Sequence, residues 1–305
     1  GGSSYSSPQL ITADVVSMLS RLRPLAPLHL PIEIAAIEAL RARYPSLPQV
    51  ACFDTAFHRT MPRVAQLYGL PRRFLDAGIV RYGFHGLSYE YIMSELSRES
   101  AHTGQQLDQR RLVIAHLGNG ASMVAVANGH SVDTTMGLTP IGGLVMSTRS
   151  GDLDPGVVLY LQDAEQMTSA DLRQVVERYG GLLGISDSSA DMQSLLSERA
   201  QNRHAAEAVE VFVYTARKHL GALVSTLGGL DALIFTGGIG EHSAEVRQAI
   251  CEGLSYLGIE LDPERNAGGG PIISAPQGPV IVRVIPTNEE IMIARHTRSV
   301  LHSAG

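Results

Sequence analysis

The chain has 305 residues, 44% of them hydrophobic, which is enough to build two domain-sized cores. Its formal net charge of −6, without any run of basic residues, argues against nucleic acid or an anionic membrane as the main partner. Its two cysteines lack metal-ligand spacing and no apolar stretch reaches the roughly 20 residues of a membrane span, so we expect a cytoplasmic protein without a zinc site or a disulfide framework.

Strand-like and helix-like segments alternate along the chain, which predicts an α/β fold with an at least partly parallel sheet. The predicted strands are residues 50–54, 111–115, 123–127, 131–135, 231–235 and 280–286. The predicted helices are residues 169–179, with Ser169 as N-cap, 203–227, 243–257 and 289–301. Residues 266–278, rich in glycine and proline, are predicted to form a surface loop.

The strand at 111–115 leads into a glycine-rich segment in which missing β-carbons would let backbone amides approach an anion. Its residues are His116, Leu117, Gly118, Asn119, Gly120, Ala121 and Ser122. The strand that follows ends at Asn128-Gly129, a dipeptide favoured in tight hairpin turns. This pattern predicts a hairpin whose first bend binds phosphate; the alternative is a glycine-rich turn without a ligand.

Further along, Arg149 stands among hydroxyl groups and glycines in the segment 147–152, a setting suited to recognition of a carboxylate or phosphate. Lys218 is the only lysine, and it lies in a predicted helix away from any glycine loop, which excludes a Walker-type phosphate loop. Arginine must therefore supply the positive charge of a phosphate site.

A second glycine-rich segment, residues 236–241, lies between a predicted strand and a predicted helix. We expect a loop here whose amides hold a nucleotide phosphate or whose backbone approaches adenosine. The glycines do not follow the order of a dinucleotide-binding fingerprint, which makes a dehydrogenase the weakest alternative.

Three polar clusters remain. Asp54 follows an apolar strand, His85 lies between glycines, and Glu289 with Glu290 begins a predicted helix. Element ends are where α/β folds commonly place ligands, although capping of a helix would also explain the two glutamates.

Together these segments resemble the acetate kinase family, within the larger group that shares the actin, hexokinase and sugar-kinase (ribonuclease H-like) fold. The resemblance spans nearly the whole chain and lies in residues 26–31, 53–62, 81–89, 115–123, 131–156, 185–193, 235–247 and 285–290. It implies a reversible, ATP- and Mg²⁺-dependent (or Mn²⁺-dependent) transfer of the γ-phosphoryl group to acetate, giving acetyl phosphate and ADP. A carboxylate acceptor is already ionised at neutral pH, so the chemical task is to hold two anions in line.

The resemblance also implies roles for individual residues. Asp54, His85 and Arg149 would be catalytic, and Asp54 and Glu289 would hold the metal ion. The acyl substrate would be bound by Leu28, His29, Phe84, Pro140 and Arg149. ATP or ADP would be bound by residues 116–122 and by Asp191, Met192, Gln193, Gly237, Gly238, Ile239, Gly240 and Glu241.

By the same resemblance, residues 1–54 with 290–305 would be a remnant of a first domain, and 55–289 would be the second, nucleotide-binding domain. Gly1-Gly2 look like the end of a His-Gly-Gly segment, so we expect upstream strands, a phosphate loop and a second substrate-binding arginine to be missing. That loss predicts a weakly active or inactive chain with exposed apolar surface.

The sequence departs from the family at four positions: Leu30 replaces Asn, Leu87 replaces Thr, Tyr89 replaces His and Gln193 replaces Arg. Gln193 would weaken nucleotide contacts, and the other three would tune the acyl pocket. The alternatives left open are a propionate kinase and a nucleotide-binding remnant with little activity. Family members are commonly homodimers, which predicts a homodimer here.

Overall fold

The structure is a computed structural model that describes residues 1–2, 4–23, 30–104 and 106–304. These residues form a mixed five-stranded sheet, a small two-stranded sheet and surrounding helices. The strands are β1 (Gln9–Leu10), β2 (Val50–Ala51), β3 (Arg111–Leu117), β4 (Ala121–Ala127), β5 (His130–Thr134), β6 (Ala232–Thr236) and β7 (Ile281–Val284).

The larger sheet has the strand order β5-β4-β3-β6-β7. β3, β4 and β5 are antiparallel neighbours, whereas β6 is parallel to both β3 and β7. The predicted α/β fold with a partly parallel sheet is confirmed. Because β3 and β6 run side by side with His116 opposite Thr236, the segments that follow both strands emerge at one edge of the sheet.

The helices of the first half are α1 (Ala13–Arg21), α2 (Leu30–Arg43), α3 (Arg63–Gln66), α4 (Arg72–Asp76) and α5 (Gly86–Thr103). Those of the second half are α6 (Pro155–Asp163), α7 (Ser169–Glu177), α8 (Gly181–Ser186), α9 (Met192–Glu198), α10 (Arg203–Leu227), α11 (Gly237–His242), α12 (Ala244–Cys251), α13 (Pro263–Gly268) and α14 (Glu289–Ala304). Across the described ranges, none of the helices combines the length and apolar character needed to cross a bilayer.

The longest helix, α10, has the predicted bounds. It begins because the Asn202 side chain accepts hydrogen bonds from the amides of His204 and Ala205, and it ends at Gly228 in the left-handed conformation. Its buried face, which includes Phe212 and Leu220, packs in the largest hydrophobic cluster with one face of the sheet.

A second cluster joins the opposite face of the sheet to α5. A third, much smaller cluster contains Val15, Leu19, Ile34 and Phe53. The C-terminal helix α14 lies on α5, where His296 Nε2 lies 2.8 Å from a carboxylate oxygen of Glu90. The division of the chain into residues 1–54 with 290–305 and residues 55–289 stays a prediction.

Two predicted elements differ from the observed ones at their ends. The strand expected at 50–54 is only two residues long, and both are partly exposed. It ends early because Phe53 turns into the third cluster and Asp54 bonds to the start of α5. The helix expected from Ser169 is capped one residue earlier by Thr168. That residue forms a capping box with Asp171, which satisfies two backbone amides at once.

The second glycine-rich segment is not the loop we expected. Residues from Gly237 form the short helix α11, because the Glu241 carboxylate accepts a hydrogen bond of 2.8 Å from the Gly237 amide. The helix expected at 243–257 is broken after Cys251, with Gly253 at φ +77°. The surface loop expected at 266–278 is also partly wrong, since Ile273 is fully buried in the largest cluster.

Candidate active site

Five of the predicted site residues line one cavity of about 590 Å³: Asp54, Phe84, His85, Pro140 and Arg149. They come from three separate stretches of sequence, and the fold brings them together at the edge of the sheet where β3 ends. Leu28 and His29, predicted to contact the acyl substrate, lie outside the described residues.

Asp54 holds the backbone at the start of α5. Its Oδ2 accepts a hydrogen bond of 2.6 Å from the His85 amide, and its Oδ1 accepts one of 3.2 Å from the Leu87 amide. His85 adopts the left-handed conformation, with φ 59°, which is strained for a residue with a side chain. The carboxylate therefore stabilises an unusual backbone geometry that aims the imidazole into the cavity.

The His85 ring is held by two contacts. Its Nδ1 lies 2.8 Å from Ser122 Oγ, and the ring stacks on His116 with 4.2 Å between centroids. Burial, followed by the charge of Arg149, lowers the pKa of His85 from 6.5 to about 3. The imidazole is therefore neutral at pH 7 and acts as a hydrogen-bonding group rather than as a cation.

His116 is held in the same way. Its Nδ1 lies 2.8 Å from Ser88 Oγ, which in turn lies 2.8 Å from Thr287 Oγ1. The Thr287 amide donates to Glu241 Oε1 at 3.1 Å, so the network continues into α11. Burial, then the neighbouring His85, lowers the pKa of His116 to about 3. A continuous set of polar contacts thus links the stacked histidines to the second glycine-rich segment.

Arg149 supplies the positive charge of the cavity. Its Nη1 donates to the Pro140 carbonyl at 3.1 Å, and among the described residues no carboxylate pairs with its guanidinium. Burial lowers the pKa of Arg149, yet a guanidinium stays charged at neutral pH. Its remaining donors are available to an anionic ligand.

His85 and Arg149 converge on the bend between β3 and β4. A Cβ added at Gly120 would lie 3.1 Å from His85 Nε2 and 3.5 Å from Arg149 Nη1. A larger residue here would therefore occupy the space between the two side chains.

Of the predicted phosphate segment, only part reaches this space. Leu117 and Ala121 pair in the ladder and are fully buried, and the Ser122 hydroxyl is turned to His85. The side chains of these three residues are therefore taken up inside the protein, and their contact with ATP or ADP stays a prediction. Asn119 is exposed at the tip between two glycines, and its Oδ1 accepts a hydrogen bond of 3.3 Å from Ser147 Oγ.

Only part of the predicted adenosine segment is open to a ligand. Gly237 is buried with φ +77°, and a Cβ there would lie 2.8 Å from the Leu117 carbonyl oxygen, so this glycine lets α11 approach β3. Gly238 is exposed with open space beside it, and its amide lies next to Gly118 at the hairpin tip. Glu241 is committed to contacts within the protein.

The remaining predicted nucleotide contacts lie at α9 and along α11. Asp191 caps α9 by accepting from the Ser194 amide at 2.8 Å, and Gln193 is exposed. Met192 belongs to the largest hydrophobic cluster, so its side chain is unavailable to a ligand. Ile239 packs against the same cluster, and Gly240 is buried.

Glu289 begins α14, and two causes raise its pKa: first its burial, then the negative charge of Asp54. Two carboxylates that repel each other in a partly buried site suit a cation between them. Within the described ranges no group of three or more histidine, cysteine or acidic residues could hold a metal ion. One or two carboxylates completed by substrate phosphates is the pattern that Mg²⁺ prefers, so these residues fit that ion.

Several residues of the site were missed or misplaced from the sequence. Tyr89, expected to tune the acyl pocket, is fully buried behind His85 and hydrogen-bonds Ser122. Leu87 is also buried outside the cavity, whereas Leu30 lines it as expected. Ser88 and Tyr89 follow His85 by three and four residues, the helical spacing that places side chains on one face, and this signal could have found them.

The chain is similar to known proteins over nearly its whole length. The model of the acetokinase family matches residues 1–295. An acetate kinase from Rhodopseudomonas palustris (strain ATCC BAA-98 / CGA009) is 50% identical over 298 residues, which cover 97% of this chain and 74% of that protein.

Two solved structures are also similar. The acetate kinase of Porphyromonas gingivalis has a TM-score of 0.89 at 38% identity, covering 99% of this chain and 76% of that one. A propionate kinase from Francisella tularensis subsp. tularensis SCHU S4 has a TM-score of 0.92 at 38% identity, covering 98% of this chain and 77% of that one.

Proposed function

The chain belongs to the acetokinase family, and on that premise we propose that it transfers the γ-phosphoryl group of ATP reversibly to acetate, giving acetyl phosphate and ADP. Its fold is that of the acetate and propionate kinases, within the actin and hexokinase group. The observation that carries the proposal is the cavity in which Arg149 and His85 converge on Gly120, in a chain 50% identical to an acetate kinase.

The chemistry of this cavity suits transfer to a carboxylate. The acceptor is ionised at neutral pH and needs no general base, so the protein must hold two anions close together and in line. Arg149 offers unpaired donors and a fixed positive charge to the carboxylate or to the transferring group. The neutral His85 would donate a hydrogen bond to the phosphoryl oxygens, and Phe84 with Pro140 would contact the acyl methyl group.

Asp54 and Glu289 would hold the metal ion, directly or through water. Each Asp54 oxygen accepts one backbone hydrogen bond and keeps a further lone pair for a ligand. When bound, Mg²⁺ would supply positive charge that offsets the negative charge of the phosphates.

The nucleotide would lie along the edge of the sheet between the hairpin tip and α11. The support is the adjacency of Gly118 and Gly238, together with the exposure of Asn119 and Gly238. Asp191 and Gln193 are exposed at the start of α9 and would contact the nucleoside. The polar network from Glu241 through Thr287 to His116 joins this region to the catalytic centre.

Propionate is the second candidate substrate, favoured by the similarity to a solved propionate kinase. With hydroxylamine as trap, we expect acyl hydroxamate to form from ATP, Mg²⁺ and acetate, and formation to stop when Mg²⁺ is chelated. The ratio of kcat/KM for the two acids ranks them, and one methylene is worth about 10- to 200-fold in such pockets. A ratio in favour of propionate would replace acetate as the substrate. No hydroxamate with either acid would refute the activity proposed for this chain, whereas its membership of the family rests on the sequence.

We also propose that the protein acts as a homodimer in the cytoplasm. Helix α6 buries none of its residues, and four large apolar side chains in this region are exposed: Leu153, Val157, Leu159 and Tyr160. Such a patch on a protein surface marks an interface, and a second copy of the chain would cover it by two-fold symmetry.

Replacing Leu159 and Tyr160 together by aspartate is expected to convert the dimer to a monomer at micromolar concentration, because the charges would be buried in the interface. Light scattering after size exclusion measures the mass. The matched control is Tyr256→Asp, which changes another exposed aromatic residue far along the chain. A dimer that persists in the α6 variant would place the interface elsewhere, and a monomeric unmodified chain would refute the homodimer.

A further inference from the structure

We propose that Tyr89 is a positioning residue that fixes the tautomer of His85, so that Nε2 carries the ring proton and donates toward the space between Gly120 and Arg149. The relay runs from the Tyr89 hydroxyl through the Ser122 hydroxyl to His85 Nδ1. Its catalytic consequence rests on the proposed function, whereas its hydrogen-bond geometry stands independently.

The first step is the Tyr89 hydroxyl. Tyr89 is fully buried on α5, and within the described part of the chain its hydroxyl has one hydrogen-bond partner, Ser122 Oγ. Burial raises the pKa of Tyr89, so the phenol keeps its proton. If Tyr89 accepted from Ser122 instead, its own proton would be buried without an acceptor, which costs more than a single hydrogen bond contributes. Tyr89 therefore donates to Ser122.

The second step is Ser122. Its hydroxyl has one proton and contacts two groups, Tyr89 and His85 Nδ1, the latter at 2.8 Å. Because it accepts from Tyr89, its proton is free to bond to the imidazole. Ser122 is fully buried in β4 and cannot exchange this partner for water.

The third step is the imidazole. A neutral ring carries one proton, and Nδ1 accepts from Ser122, so the proton resides on Nε2. Nε2 is the atom that a Cβ on Gly120 would approach to 3.1 Å, on the side where Arg149 Nη1 also lies. A donor at this position attracts an anion, whereas the lone pair of the other tautomer would repel it.

Tyr89 follows His85 by one helical turn, and the two side chains meet over Ser122 from the neighbouring strand. A histidine at position 89, as the family usually has, can either donate or accept a hydrogen bond and would not fix the direction of the relay. A tyrosine with a single partner must donate to it and therefore fixes that direction. The relay thus follows from this chain's own departure from the family pattern.

The decisive measurement is the ¹⁵N NMR pattern of histidine side chains in the folded protein, with the His85 signals assigned by their loss in His85→Asn. We expect a protonated Nε2 and an unprotonated Nδ1 in the unmodified chain. In Tyr89→Phe, Ser122 loses its donor and can accept from Nδ1, so a substantial fraction of the other tautomer is expected. An Nδ1-protonated ring in the unmodified chain, or an unchanged ring in Tyr89→Phe, would overturn the proposal.

Kinetics test the consequence. We expect Tyr89→Phe to lower kcat for acyl phosphate formation about 10- to 100-fold, with KM values for ATP and the acid within about 3-fold, because a donor to the reacting group is lost. Tyr91→Phe is the matched control with unchanged kcat, because Tyr91 lies on the same helix and packs against the same hydrophobic cluster but takes no part in the relay. A changed tautomer with unchanged kcat would overturn the positioning role.

Ser122→Ala covers the case in which Tyr89→Phe does not fold. Removal of the middle hydroxyl should also release the His85 tautomer, and adding Tyr89→Phe to this background should cause no further loss of kcat. An additive second loss would show that Tyr89 acts by another route. Absence of kinase activity in the unmodified chain would count against the proposed function alone, since the NMR measurement needs no turnover.

Discussion

Arg149→Ala is expected to lower kcat/KM for acyl phosphate formation about 1000-fold, the largest loss we predict for one side chain. Arg149 is the arginine that lines the cavity, and its donors are not taken up by a carboxylate among the described residues. The reaction brings two anions together, so the remaining site would be left without a fixed charge to offset their repulsion. Hydroxamate formation under saturating ATP measures the effect.

One further variant separates the charge of Arg149 from its geometry, and a second serves as a control. Arg149→Lys keeps the charge without the planar fork and should recover part of the loss, because a guanidinium bonds a carboxylate or phosphate through two parallel donors. Arg178→Ala, on an exposed arginine that follows α7, should leave kcat/KM unchanged. The role assigned to Arg149 would be wrong if Arg149→Ala kept most of its activity, or if its loss came with unfolding detected by circular dichroism.

Much of the fold could be predicted because it follows from local patterns. The bounds of α10 follow from a cap at Asn202 and a glycine at 228, and the β4–β5 hairpin turn follows from Asn128-Gly129, both of which have positive φ. The segment after β6 could not be predicted in this way. Its helix depends on the Glu241 carboxylate, which also binds the Thr287 amide 46 residues later.

The candidate site likewise has a part that local motifs predict and a part that depends on the tertiary fold. Asp54, His85 and Arg149 carry chemistry that is visible in isolated motifs, and the fold places all three on one cavity. The contacts of Ser122 with Tyr89 and His85 join residues 33 and 37 positions apart, and a hydroxyl's direction depends on which groups the tertiary fold places around it. A sequence pattern therefore identifies candidate site residues before it identifies the residues that orient them.

The second large expected effect is a loss of stability in mild acid. Burial lowers the pKa of His58 from 6.5 to about 4, and those of His85 and His116 to about 3. At these three histidines the folded state thus binds fewer protons than the unfolded state, so their contribution to stability is complete above about pH 6.5 and is lost as the pH drops toward the folded pKa values. At about pH 5 each histidine lowers the free energy of unfolding by about 2 kcal/mol, and the three together lower it by about 6 kcal/mol. Typical proteins have a free energy of unfolding of about 5–15 kcal/mol, so the loss is large.

Urea unfolding at about pH 7.5, 6 and 5 measures this loss, in a window above the range where salt-bridged carboxylates such as Asp231 titrate. His58→Gln tests one contribution, because the His58 ring is fully buried between Ser131 Oγ at 3.0 Å and the Phe84 carbonyl at 2.9 Å. The variant should be less stable at neutral pH, yet lose about 2 kcal/mol less than the unmodified chain on acidification.

The exposed His102 provides the control, since His102→Gln should leave the pH dependence unchanged. A free energy of unfolding that stays constant from about pH 7.5 to 5 would mean that the three buried histidines accept protons without unfolding. That result would also remove the argument that the stacked pair of His85 and His116 is neutral, because two imidazolium rings at 4.2 Å repel each other. The stability measurement therefore tests, without any substrate, the charge state on which the catalytic role proposed for His85 depends.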